Sequence, residues 1–222
     1  MDSKRDFFTT LLPFSLFHFV SLPRSMDNRG SEIKPLGEES IRRIVAEQAI
    51  TDLSSIAKEL VDNALDAESN TIKVRLFGQG MDIIEVSDDG TGVPIPSRAH
   101  LATRYATSKI QTFEDIYSGT GLTMGFRGEA LFSMACLSEK LIIATRTESD
   151  EMAQELEFQR DGTLNENSVQ YRHRKVGTTV AVVKPFHALP ARRADMERRI
   201  KSERGKLVRL MESCKFSNGS IY

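Results

Sequence analysis

The sequence has no tryptophan and only two cysteines among 222 residues. Cys136 and Cys214 lie far apart and show no metal-ligand spacing, so neither a disulfide framework nor a zinc site is expected, only ordinary thiols of a reducing compartment. The four histidines show no ligand pairing, and His173 and His187 fall in or beside strand-like segments where structural or surface roles suffice. Neither sign of charge is in excess. Thirty Lys and Arg against 31 Asp and Glu leave a net charge of -1, so the chain as a whole is not a basic nucleic-acid binder. The first 25 residues differ from the rest. Lys4 and Arg5 precede an apolar stretch over residues 7–20 that resembles a secretory signal but is too short and interrupted to span a membrane. No small-x-small cleavage site follows it. Residues 1–25 are therefore read as a leader without a working role, Met26 as an alternative initiator, and a membrane is not expected as a partner.

What is present is an ordinary globular composition, 40% apolar and 27% charged, on a length that fits one large domain or one domain plus a piece of another. Helical patterns are expected over residues 38–48 and 54–66. Ile72, Val74 and Leu76 alternate with polar residues, and a second strand at 82–87 follows Gly78, Gln79 and Gly80, which together signal a hairpin. Residues 88–130 are rich in Gly, Thr and Ser, with a short helical piece at 97–105; a stretch that long with little regular structure is usually functional. A helix at 127–136 and strands at 140–147, 153–160, 169–174 and 178–184 follow, with a turn at Asp161 and Gly162. From Pro190 a long basic helix is expected to reach Cys214. This order predicts an α+β fold: helices on one face of a mainly antiparallel mixed sheet.

Three segments carry chemistry. Glu59, Asp62, Asn63 and Asp66 cluster within about one third of a helix circumference, opposite Leu53, Ala57, Leu60, Val61, Ala64 and Leu65. Short polar side chains there suit a wall facing a charged ligand, although an acidic outer stripe reads the same way. Asp88, Asp89, Gly90, Thr91 and Gly92 end a strand. A carboxylate there can accept from the exocyclic amine of a purine while the glycines allow a flat ring close by; the same letters also serve calcium loops and plain turns. Residues 119–131 form a Gly-rich loop entering a helix, whose free amides bind phosphate, with Arg127 adding charge; it is not a Walker A loop.

Together these segments resemble the GHKL superfamily of ATPases, and more closely the N-terminal ATPase domain of the MutL family of mismatch-repair proteins, nearest its eukaryotic PMS type. The carriers are residues 58–67, 88–93, 104–110, 125–131, 177–180 and 189–193. The resemblance implies a GHKL-type two-layer sandwich over residues 26–190, with 191–222 as a basic helix and the truncated start of a following transducer domain. It implies Mg2+-dependent ATP hydrolysis. Glu59 would be the general base and Asn63 the metal ligand, with Asp66 and Ala67 beside the nucleotide. Asp88 would read adenine, supported by the Thr178 hydroxyl, and Gly92 would permit the approach. Residues 97–127, including Thr107, Ser108 and Lys109, would form a lid ordered by ATP. The amides of Gly125, Phe126, Arg127, Gly128, Glu129, Ala130 and Leu131 would cradle the phosphates. A second MutL homologue as heterodimer partner, DNA and the nucleus follow from the same resemblance. The cations after Pro190 read as DNA-backbone contacts or, with Asp195, Glu197, Glu203 and Glu212 interleaved, as a solvated face. Two local departures are Asp89, where the family often has Asn, and residues 46–50 in place of a Gly-containing turn. Because the sequence stops at Tyr222, without the second-domain lysine, hydrolysis is expected to be weak; the alternative is a non-catalytic fragment that binds nucleotide or a partner and competes with full-length subunits.

Overall fold

The computed structural model describes residues 34–104, 106 and 128–212, together with the backbone of 213–218 and 220–221. In chain order the elements are α1 (Glu38–Ala49), α2 (Leu53–Asp66), β1 (Thr71–Phe77), β2 (Ile83–Asp88), α3 (Ile95–Arg98), α4 (Ala130–Leu137), β3 (Lys140–Arg146), β4 (Ala153–Phe158), β5 (Gln170–Arg172), β6 (Gly177–Val183), α5 (Pro190–Arg198), α6 (Ile200–Asn218) and β7 (Ser220–Ile221). The strands make one sheet in the order β5-β4-β3-β6-β2-β1-β7. Every pairing is antiparallel except β1 with β7. The expected α+β class, with helices on one face of a mainly antiparallel mixed sheet, is what the chain adopts.

Period-two patterning explains the layers. Ile72, Ile84, Val86, Leu141, Ile143, Leu156 and Val182 point from the sheet into the core. On the other face Arg75 stands opposite Glu85 and pairs with it, and Lys140 reaches Glu157 at 3.1 Å. Such exposed pairs add little stability each, but they mark that face as solvated. The strongly apolar α4 buries Phe132, Met134, Ala135, Cys136 and Leu137, as a helix apolar all round must. Burial pushes the Cys136 thiol up to about 11, so it stays protonated and unreactive, in line with an ordinary thiol.

The start of α2 is fixed by a capping box. Asp52 accepts the Ser55 amide at 2.8 Å, and the Ser55 hydroxyl accepts the Asp52 amide at 3.1 Å. From there Leu53, Ile56, Ala57, Leu60, Val61 and Ala64 are buried. Asp62 departs from the expected polar wall: it is only 5% exposed and takes the Lys58 ammonium at 2.5 Å, because its position at the edge of the stripe turns it inward.

The basic C-terminal segment is two helices rather than one. Arg199 leaves helical geometry at φ -103, ψ 18, and its amide is shared between the carbonyls of Asp195 and Met196. No proline or glycine marks that break, so periodicity could not place it. Beyond it α6 packs on α2. Lys206 donates to Asp52 at 3.1 Å and to the buried Glu203 at 2.9 Å, and Leu207 enters the core.

Two glycines should respond oppositely to alanine. Gly92 has φ +74, and a Cβ there would meet the Arg146 carbonyl oxygen at 2.1 Å, a backbone atom that cannot swing away. Gly92→Ala is expected to cost about 2–4 kcal/mol. Gly205 lies within α6 and would meet only the flexible Arg209 guanidinium, at 3.5 Å. Gly205→Ala is expected to stabilise by about 0.5–1 kcal/mol. Urea midpoints at unchanged slope measure both, and a stability loss for Gly205→Ala as large as that for Gly92→Ala would contradict the assignment.

Candidate functional site

The site forms where the end of α2 meets the turn after β2. The Asn63 carbonyl accepts the Ala67 amide at 3.1 Å as the helix closes, and the Ala67 carbonyl then accepts the Thr91 amide at 3.1 Å. A Cβ on Gly90 would sit 2.5 Å from that same Ala67 carbonyl, so only glycine lets the turn lie this close. The last two turns of α2 thereby bring half-buried Glu59, Asn63, Asp66 and Ala67 to the same end of the domain as Asp88. The Asn63 side-chain amide has no hydrogen-bond partner among the described residues.

Asp88 is the most constrained group there. Its Oδ1 accepts the amides of Gly90 at 2.9 Å and Thr178 at 3.0 Å. Its Oδ2 accepts no hydrogen bond among the described residues. Burial raises its carboxyl above the usual range, while those two amides and the charge of Arg174 pull it down. Asp89, expected only as a departure from the family pattern, has a structural role. Its carboxylate accepts the amides of Asn70 and Thr71, both at 2.8 Å, and so ties the start of β1 to the turn. Partial burial pushes that carboxyl up, but these bonds outweigh it and hold the group below the ordinary range.

Two expected roles change in detail. Thr178 supports Asp88 through its backbone amide, and its hydroxyl instead lies 3.1 Å from that of Thr145. Gly92 makes room for the backbone of Arg146 rather than for a ligand ring alone. The expected lid also starts too early at residue 97. Arg98 is 3% exposed, ion-paired to Asp150, and donates to the Val93 carbonyl at 2.8 Å and to Gln154 at 3.0 Å. Ala102 is fully buried. Sequence pattern alone does not show this, because one arginine replaces the apolar anchors that would signal a fixed segment.

Thr107, Ser108, Lys109, Gly125, Phe126 and Arg127 lie outside the described residues. The positions that flank them, Ala106 and Gly128, are adjacent: a Cβ on Gly128, at φ +61, would stand 2.5 Å from the Ala106 carbonyl oxygen. Gly128 leads into α4, so the amides of Ala130 and Leu131 belong to a first helical turn, where backbone donors have no partner within the helix. Glu129 caps that turn in position only, its carboxylate lying 3.6 Å from Arg104.

No group of three or more His, Cys, Asp or Glu able to hold a metal occurs among the described residues. Asn63 brings a neutral amide oxygen to this helix end, a donor that would fit a magnesium ion keeping its waters and phosphate oxygens.

Among the described cations after Pro190, five are already engaged. Arg193 donates to the carbonyls of Met81 and Pro185, Arg192 lies over the Phe186 ring, Arg198 and Arg199 both pair with Asp195, and Lys206 holds α6 to α2. Arg198, though paired, is exposed, as are Lys201, Arg204 and Arg209.

The model of the histidine kinase-, DNA gyrase B- and HSP90-like ATPases matches residues 48–188. The chain belongs to this family. Its similarity runs to the mismatch-repair branch. The mismatch repair endonuclease pms1 of Dictyostelium discoideum is 40% identical over 181 residues, covering 82% of this chain and 17% of that protein. The mismatch repair endonuclease PMS2 of Homo sapiens is 39% identical over 188 residues, 84% of this chain and 21% of that one. The chain thus spans about a fifth of the length of these relatives. Among solved structures, the N-terminal domain of a DNA repair protein superposes with a TM-score of 0.64 at 36% identity, over 76% of this chain and 46% of that one. The Aquifex aeolicus MutL ATPase domain complexed with ADP, at 24% identity and TM-score 0.57 over 78% of this chain and 59% of that one, shares the fold. The resemblance drawn from the motifs to the MutL and PMS proteins therefore holds, and the chain carries an ATPase-type domain of their kind.

The half-buried Asp88 gives a test of its own. Because its folded pKa is raised, ionisation costs more in the folded than in the unfolded chain. Stability favouring the protonated form is complete below the unfolded value and is lost as pH rises through the folded one. Asp88→Asn keeps an oxygen for the two amides and never ionises. Its stability relative to the parent is expected to improve as pH rises from about 3 and to level off above the raised folded value. Urea midpoints across that range check this; a difference independent of pH would contradict it.

Proposed function

We propose that this chain is the ATP-binding and weakly hydrolysing switch domain of a MutL-type mismatch-repair protein, occupying residues 26–190. The observation that carries the reading is Asp88, held by two amides through Oδ1 while Oδ2 has no hydrogen bond among the described residues, beside the helix end that bears Glu59 and Asn63. A purine amine is the donor such an oxygen suits. Thr178 and Gly92 support that reading by holding the strand ends around the carboxylate.

In this reading Glu59 takes a proton from the attacking water, and Asn63 offers its amide oxygen to the metal. Bound magnesium would supply charge to offset that developing on the phosphates. The first-turn amides of α4, with residues 107–109 and 125–127, would receive the phosphates. Ordering of the segment 107–127 by nucleotide would be the switch. Pairing with a second MutL-type chain, contact of exposed Arg198, Lys201, Arg204 and Arg209 with DNA phosphates, and nuclear placement are proposed with it. The similarity to mismatch-repair proteins supports the partner and DNA readings.

The test is ATP binding by isothermal titration and phosphate release on the whole chain. Glu59→Ala is expected to bind ATP within about threefold of the parent while losing roughly 10²–10⁴-fold in turnover. Equal loss of both would remove Glu59 from the chemistry. Asn63→Ala is expected to abolish the magnesium dependence of binding, and unchanged dependence would remove it as a ligand. A parent chain that binds ATP without phosphate release would support the non-catalytic fragment instead.

A further inference from the structure

Arg174 reaches the site from behind. It lies between β5 and β6, and its Nη2 donates to the Asp88 carbonyl at 3.0 Å and to the Ser87 hydroxyl at 3.4 Å. Its own carbonyl accepts Nη1 of Arg146 at 2.8 Å. Its Nη1 is buried and has no hydrogen-bond partner among the described residues. Burial lowers the arginine's own pKa, so placing a cation here is costly, and the charge of Asp88 works against that cost. Two bonds to neutral oxygens do not require an arginine. What a permanent cation adds is its field on the neighbouring carboxylate.

We propose that Arg174 is a positioning residue that keeps Asp88 ionised and thereby fixes the bound base as adenine rather than guanine. This rests on the reading of Asp88 as the purine-amine acceptor. An ionised Oδ2 can only accept, and adenine presents an amine where guanine presents a carbonyl oxygen. A protonated Asp88 could donate to that carbonyl, and the discrimination would fall. Burial and the neighbouring Asp89 both push Asp88 toward protonation, whereas the two amides and Arg174 oppose it. The other charges around the pair are Arg172 on β5, whose like charge repels that of Arg174, Arg146 on β3, and Asp66 at the end of α2, which packs on the turn through Ala67. None of these replaces Arg174 as the cation acting on Asp88.

The experiment compares the whole parent chain with Arg174→Gln, Arg174→Lys and Asp88→Asn. Non-hydrolysable analogues of ATP and GTP are titrated calorimetrically from about pH 8 to about pH 5. Arg174→Gln keeps hydrogen-bond donors and loses the charge. It is expected to bind the ATP analogue within about twofold of the parent near pH 8, to fall roughly three- to tenfold behind it near pH 5, and to narrow its preference over the GTP analogue in the same range. Arg174→Lys is expected to follow the parent. A loss in Arg174→Gln that is equal at every pH, or a loss in Arg174→Lys matching it, would make Arg174 a purely structural residue and overturn the proposal. Unimpaired ATP-analogue binding by Asp88→Asn would instead defeat the adenine reading itself. Loss in Asp88→Asn while Arg174→Gln tracks the parent at all pH values would defeat only the role of Arg174.

Discussion

Everything at this site depends on how closely three backbones approach the turn at residues 88–92. The Ala67 carbonyl lies against Gly90, the Arg146 carbonyl against Gly92, and the Asp88 carbonyl against Gly177, each within about 2.5 Å of where a Cβ would stand. Side chains would force these strands and the helix end apart. With them in place, the end of α2, the end of β2 and the start of β6 share one small region, and Asp88 receives amides from two of them. The carboxylate is then oriented by backbone, which has few alternative positions, rather than by flexible side chains.

Buried charges do the comparable work further out. Arg98 joins the segment after the turn to the β3–β4 hairpin through Val93, Gln154 and Asp150. Lys206 joins α6 to the cap of α2 through Asp52 and the buried Glu203. A buried pair such as Arg98–Asp150 adds little net stability, but breaking it is costly, so it favours one relative placement of the elements over its neighbours; Lys206, half-exposed, does the same more weakly. The effect is to hold α2 at a fixed distance from the turn that follows β2.

Several motifs were legible because their spacing is itself local geometry. Glu59 and Asn63 are one turn apart on any helix, and the alternation from Ile72 to Leu76 fixes which face of β1 is buried. The polar stripe was nevertheless drawn too wide, since Asp62 turns inward to Lys58, and only the packing around α2 determines that. Similarly, the string Asp-Asp-Gly-Thr-Gly could not say that its second aspartate ties β1 to the turn, because Asn70 and Thr71 are neighbours only in space. The break at Arg199 left no trace in composition, and the partners of the basic segment, from Met81 to Asp52, are over 100 residues away.

By itself, then, the sequence determined the α+β class, the strand faces, the polar end of α2 and the family resemblance. All of these depend on periods and spacings that a few consecutive residues enforce. The tertiary structure alone decided which charges are engaged inside the protein, that Thr178 serves through its amide, and that Arg174 stands behind Asp88. The physical reason is that these depend on approaches between elements distant in sequence, and a hydrogen bond or a Coulomb field responds to separation in space, not along the chain.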